Sequence, residues 1–174
     1  WFAQGGDRHA GDVRSGVNYS RIVSFDPSAQ DLPTTEQDDR FCVYAMPSAP
    51  DSTDGNNHLL GVAATDGRIW VTEMRGYRSE RPGAISSFIP AAVGCANSLN
   101  YADPRALADL MPYCASGASA ATGCVETWSL DTAKPAMLEL DPLAGSLWFS
   151  DSNGSYLGNF DPGRSDPITL YPLP

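Results

Sequence analysis

The chain has 174 residues, enough to bury a substantial core and the size of one ordinary domain. Its 21 acidic against 11 basic residues leave a net charge of −10, which argues against a nucleic-acid backbone or an anionic membrane surface as partner. No apolar run approaches the roughly 18 residues of a membrane span, and 14 Pro and 16 Gly among short aromatic and β-branched runs favour an all-β chain.

Taken from the start, Trp1-Phe2-Ala3-Gln4 reads as a strand, and with no initiating Met or signal peptide the chain reads as mature or partial. A Gly/Asp/Arg-rich loop at 5–19 separates it from a strand at 21–25 that runs into Asp26-Pro27. An acidic loop at 31–40 then leads to a strand at 42–47.

A second unit spans 59–130. Gly61-Val62-Ala63-Ala64 is its first strand and Asp66-Gly67 a hairpin turn, since such dipeptides tolerate the positive φ that tight turns need. The strand at 68–73 follows, then one at 84–90, and the last at 125–130. Between these two lies an insertion, 91–123, in which residues 103–111 predict a helix with an Asp cap and Pro in the first turn. Its Leu107, Leu110 and Met111 fall at helical spacing and predict one packed face.

The third unit, 136–174, repeats the pattern most plainly. Ala144-Gly145 turns into a strand at 146–150, and Asn153-Gly154, expected as a type I′ turn, into one at 155–160. A Pro/Gly/Asp cluster leads into 168–171. Laid over one another, Trp1, Trp70 and Trp148 share a position, as do Tyr44, Trp128 and Tyr171. All six read as core. The tryptophans stand 69 and 78 residues apart, beyond the roughly 40–45 of a plain propeller blade, and the loops at 5–19, 31–40 and 91–123 account for the excess. The strands number three, four and four.

Asp66-Gly67-Arg68-Ile69-Trp70-Val71-Thr72-Glu73, Ser146-Leu147-Trp148-Phe149-Ser150-Asp151, the segment 21–27 and the segment 168–174 together resemble the repeat of the streptogramin B (virginiamycin B) lyase family, related to NHL-type propellers. The resemblance implies a β-propeller of four-stranded antiparallel blades, here a partial one of about three: a section at 1–47, a blade at 59–130 carrying the insertion, and a blade at 136–174. Propellers close with at least about four blades, so the remaining blades are expected from further sequence or another chain.

In the lyases, the resemblance implies, a Mg²⁺-assisted elimination uses a His before the Gly of an inner strand, a Glu ending the next strand and a His three residues beyond. The matching positions here are Leu60, Glu73 and Gly76 in the second unit, and Ala136, Asp151 and Gly154 in the third. In the first, Gln4 and Asp7 stand at the later two. No unit carries the full set, so the candidate catalytic residues reduce to His58, two places early, and Glu73.

The other motifs point away from chemistry. His9 sits in a polar loop. The 51–57 segment lacks the acidic spacing and terminal Glu of a Ca²⁺ loop. Arg75, Arg78 and Arg81 belong to a mixed-charge loop, and Asn18 and Asn153 open chance-level glycosylation sequons. Cys42, Cys95, Cys114 and Cys124 form no C-x-x-C pair and read as disulfides of an exported, bacterial protein. Cys95 and Cys124 bracket the insertion, and a bridge there would staple its base, leaving Cys114 for Cys42 or an outside partner. Four cysteines allow three pairings, and the sequence does not choose.

The expected function is an exported scaffold or binding module that contacts a partner protein through its insertions and carries no cofactor of its own. The alternatives are a Mg²⁺- or Ca²⁺-dependent lyase or lactonase whose site lies outside this segment, and an accessory subunit of a larger exported or redox assembly.

Overall fold

The structure, a computed structural model, describes residues 1–4, 20–29, 41–47, 57–75, 82–93 and 111–174. They form three antiparallel meanders. The first sheet holds β1 (Phe2–Gln4), β2 (Arg21–Phe25) and β3 (Phe41–Ala45). The second holds β4 (Asn57–Thr65), β5 (Arg68–Arg75), β6 (Ala84–Phe88) and β7 (Glu126–Ser129). The third holds β8 (Pro135–Leu140), β9 (Leu147–Asp151), β10 (Tyr156–Phe160) and β11 (Ile168–Pro172). The protein is therefore all-β, with strands in sheets of three, four and four as the sequence predicts. Among the described residues the sheets are open and do not close on one another.

The second and third sheets match residue for residue. Val71 faces Ser86 where Phe149 faces Gly158, and Trp70 faces Ser87 where Trp148 faces Asn159. Both first strands carry a bulge at the same place, between Leu59 and Val62 in β4 and between Pro135 and Leu138 in β8. A bulge bends a strand and sharpens its twist, so both sheets bend alike at this end.

Alternation along each strand gives every sheet two different faces. On one, the front, the second sheet carries Trp70, Ile85 and Trp128. On the other, the back, it carries Ile69, Val71 and Phe88. Its back packs on the first sheet, where Ile22, Tyr44 and Met46 join Leu59, Ile69, Val71 and Phe88 in one core. Its front packs on the back of the third, where Trp70 and Ile85 meet Leu138, Leu147, Phe149 and Phe160. The second sheet is thus the middle layer of a front-to-back stack.

Aromatic rings mark the repeat. Within each sheet the second-strand Trp lies by the fourth-position aromatic: Trp1 and Tyr44 at 5.7 Å, Trp70 and Trp128 at 5.7 Å, Trp148 and Tyr171 at 5.6 Å. Between sheets, Tyr44 meets Phe88 at 5.2 Å, and Trp128 meets the equivalent Phe160 at the same 5.2 Å. Trp70 and Tyr44 are buried in the core as their recurrence predicts, and Trp128 packs on Phe160 between sheets. Trp1 and Tyr171, also expected in the core, are instead 45% and 46% exposed.

Two glycines permit close packing, Gly61 between the second and third sheets and Gly158 within the third. A Cβ on Gly61 would lie 2.7 Å from the Ala136 carbonyl oxygen, so β4 and β8 touch backbone to backbone there. A Cβ on Gly158 would lie 2.0 Å from Phe149 Cζ. Thr72 links the same layers: its hydroxyl accepts from the Gly61 amide at 2.7 Å and donates to the Ala136 carbonyl at 2.6 Å.

Three expectations are corrected or narrowed. Cys114 pairs with Cys124, not Cys95 with Cys124, because Tyr113 and Val125 bridge the two arms of the loop and set the flanking cysteines 4.9 Å apart at Cα. Cys42 is also disulfide-bonded, and Cys95 lies outside the described residues. The turn at Asn153-Gly154 has positive φ only at Gly154, so it is not type I′. Positive φ at both central residues belongs to Asp66-Gly67 instead. Of the helix expected at 103–111 only Met111 is described, and it is buried in the first core. The helical turns described at the two ends of the insertion are α1 (Pro90–Val93) and a 3-10 turn, Ala120–Thr122.

Candidate functional site

Glu73, the candidate acid or base, lies in β5 opposite Leu59 at the β4 bulge, on the back face, and is fully buried. A buried carboxyl needs hydrogen-bond partners, since an uncompensated charge in an apolar interior is costly. Here the Tyr113 hydroxyl lies 3.2 Å from Glu73 Oε2 and 3.3 Å from the Pro47 carbonyl oxygen. One phenol thereby joins the insertion, the second sheet and the end of the first. Tyr113 was not singled out from the sequence. Its one signal is that it precedes Cys114 in the arm that the disulfide holds.

The structure does not bring His58 to Glu73. Leu59 pairs directly with Glu73 and His58 with Met74, and residues paired across antiparallel strands share a face while their neighbours alternate. His58 therefore lies on the opposite face from Glu73. No acid–base pair forms between them.

At the matching position of the third sheet, Asp151 is occupied as a backbone acceptor. Oδ1 accepts from the amides of Lys134 at 2.9 Å and Asn153 at 3.3 Å, and Oδ2 accepts from Ser155 at 3.3 Å. These bonds fix the β9–β10 turn and the start of β8, and they explain why that turn departs from type I′: the carboxylate holds amides two and four residues on. Around it stand Ala136 and the exposed Gly154, at φ +72°. Neither supplies a proton or a ligand.

Gln4 stands at the same register position in the first sheet, opposite Arg21. Asp7, Gly76, His9, Asn18, Arg78, Arg81 and residues 51–56 lie outside the described residues. Among the described residues no group of three or more His, Cys, Asp and Glu side chains could hold a metal ion, and no helix is long and apolar enough to cross a membrane.

The other polar cluster sits at the far end of the second sheet. Arg68 pairs with Glu126, donates to Ser87 Oγ at 2.8 Å and lies over the Trp70 ring at 5.4 Å. Glu126 accepts in turn from the Ala120 amide at 3.1 Å, which anchors the 3-10 turn Ala120–Thr122. In the third sheet the same positions hold Ser146 and Asn159, joined by a 3.0 Å hydrogen bond. The cluster secures the insertion to β7.

Between Tyr113 and Ala120, then, the chain forms a closed loop. The Cys114–Cys124 bridge shuts its base, Tyr113 and Glu126 tie down its two sides, and residues 115–119 (Ala-Ser-Gly-Ala-Ser) are all exposed. No protein-family model matches the chain, and no curated protein matches it.

Proposed function

We propose that the chain is a section of a β-propeller that serves as an exported binding module, presenting the stapled end of its insertion to a partner protein. The observation that carries this reading is the loop at 115–119. Five consecutive small residues stand in solvent on a base made rigid by a disulfide, a Tyr–Glu contact and an Arg–Glu pair. Such a loop is ordered before it binds, which lowers the entropic cost of association.

The propeller part of the reading is supported by the recurrence of one sheet, with one bulge, one aromatic pair and one front-to-back junction. The binding part is supported by where the polar residues go. At the positions that would hold a lyase-type acid or base, Asp151 serves a turn and Glu73 faces the insertion. Oxidised Cys42, Cys114 and Cys124 fit an exported protein, because disulfides persist in oxidising compartments.

The test is affinity capture from the native extracellular or periplasmic fraction with the chain and with its Ser116→Arg/Ala118→Arg variant. Both residues are exposed, so the variant keeps the fold. Loss of a captured protein from the variant, with the same protein bound stoichiometrically by the purified native chain, is the expected result. Equal capture by both forms would refute the loop as the contact.

A further inference from the structure

Asn153-Gly154 is the single Asn-Gly step in the sequence. Asparagine before glycine invites a reaction of the chain on itself, because the next residue has no side chain to shield the attacking amide nitrogen. The Gly154 nitrogen loses its proton to solvent base and bonds to the Asn153 Cγ, and the side-chain amide group leaves as ammonia. Water then opens the five-membered imide at either carbonyl. The product is aspartate or, with the backbone rerouted through the side chain, isoaspartate. The reaction needs water, a released Gly154 amide and rotation about the Asn153 Cα–C bond. Asn153 and Gly154 are both exposed, so water is at hand. The other two needs are not met in the turn as it stands.

In a type I′ turn Asn and Gly would be the two central residues, and the hydrogen-bonded amide would belong to the residue after Gly. Here the pair sits one place later. The Gly154 amide itself donates to the Asp151 carbonyl oxygen at 2.9 Å, closing a turn with Ser152 and Asn153 at its centre. The Asp151 side chain holds the amides on either side, Asn153 through Oδ1 and Ser155 through Oδ2, both at 3.3 Å. Asp151 is in turn 7% exposed and anchored by the Lys134 amide at 2.9 Å, and the Ser152 amide donates to the Lys134 carbonyl at 2.7 Å. We propose that Asn153 is a latent self-modification site, deamidating to aspartate and isoaspartate, and that Asp151 keeps it shut by holding the amides of residues 153–155. Turning the Gly154 amide toward the Asn153 side chain breaks its bond to Asp151, so the reaction waits for local opening of the turn. Isoaspartate lengthens the backbone by a carbon between residues 153 and 154, so a modified turn does not recover the same three bonds.

Incubating the 174-residue chain, disulfides intact, in mildly alkaline buffer tests this, with a blocked peptide of residues 151–156 as the reference. Peptide mapping by mass spectrometry follows the exchange of amide for carboxyl at Asn153 and separates aspartate from isoaspartate. The expected rate in the chain is at least about tenfold below the peptide's, as for a turn open a tenth of the time or less. Hydrogen exchange of the Gly154 amide, read by NMR, should be slowed by a similar factor, since both reactions need the same opening. Asp151→Asn keeps one acceptor oxygen and should deamidate at Asn153 at least about threefold faster than the native chain, and Asp151→Ala faster still. Near-UV circular dichroism verifies that each variant is folded. If Asp151→Ala is not, Asp151→Asn and the exchange measurement on the native chain decide. A native rate equal to the peptide's, or a freely exchanging Gly154 amide, would overturn the proposal. Folded Asp151 variants as slow as the native chain would overturn it too. The 115–119 loop takes no part in these measurements, so their outcome is independent of the binding-module reading.

Discussion

Replacing Gly158 with Ala probes the packing of the third sheet at its tightest point. A Cβ there would lie 2.0, 2.3 and 2.4 Å from Cζ, Cε2 and Cε1 of Phe149, whose ring is 1% exposed between the second and third sheets. The ring cannot swing out, because Leu138, Leu147 and Phe160 share its cluster. Overpacking a filled core costs about 1–3 kcal/mol, and the overlap here is severe. The better strand conformation of Ala returns about 0.5–1 kcal/mol. The net expectation is destabilisation of about 2 kcal/mol, or a fall of about 4–8 °C in Tm for a chain of this size. The middle sheet supplies the control, for it solves the same position with Val71 opposite Ser86. Phe149→Val alone should cost about 2–4 kcal/mol through the cavity it leaves. Phe149→Val combined with Gly158→Ser should cost less than Phe149→Val and Gly158→Ser made separately and summed, by about 1 kcal/mol or more, since contacting residues couple. Urea and thermal unfolding followed by tryptophan fluorescence read all four corners of the cycle. A neutral Gly158→Ala, or strictly additive changes, would refute the packing described.

Three further outcomes follow from particular bonds. Thr72→Val removes the hydroxyl shared by Gly61 and Ala136 and should cost about 1–3 kcal/mol in urea unfolding, because a buried amide and a carbonyl lose their partner. Replacing Cys114 and Cys124 with Ala opens a bridge spanning 10 residues and should lower stability by about 2–3 kcal/mol in the chain-entropy model, with proteolysis confined to the loop appearing first. Asp26 and Asp141 have carboxyls held below the usual range, Asp26 by the Ser28 hydroxyl and amide, Asp141 by the amides of Ala144 and Leu143. A depressed folded value means their contribution is present above the unfolded carboxylate range and is lost as pH falls through the folded value. Stability should therefore fall on acidification, less steeply in Asp141→Asn than in the native chain.

Much of the fold is legible in the sequence because it lies in local, repeated signals. Eleven short apolar runs bounded by Gly, Pro and Asp become eleven strands, and the recurring Trp and Tyr positions become the aromatic pairs. What does not repeat is harder to read. The Cys114–Cys124 pairing depends on the Tyr113–Val125 bridge, a contact of the insertion with itself that follows no period. The separation of His58 from Glu73 depends on register, since one residue of shift in β4 would have put them on the same face. Glu73 looks like a catalytic group in a strand-ending position until Tyr113 arrives 40 residues later in the chain. The Asn153-Gly154 signal is real as a turn, but the Asp151 carboxylate decides which kind.

The account stands on one junction being used twice, and paired double-mutant cycles measure that most directly. Tyr44→Leu with Phe88→Leu and Trp128→Leu with Phe160→Leu, read by urea unfolding, should give couplings of similar size at both junctions, each about 0.5–1.5 kcal/mol. Coupling at one junction with additivity at the other would contradict the front-to-back repeat.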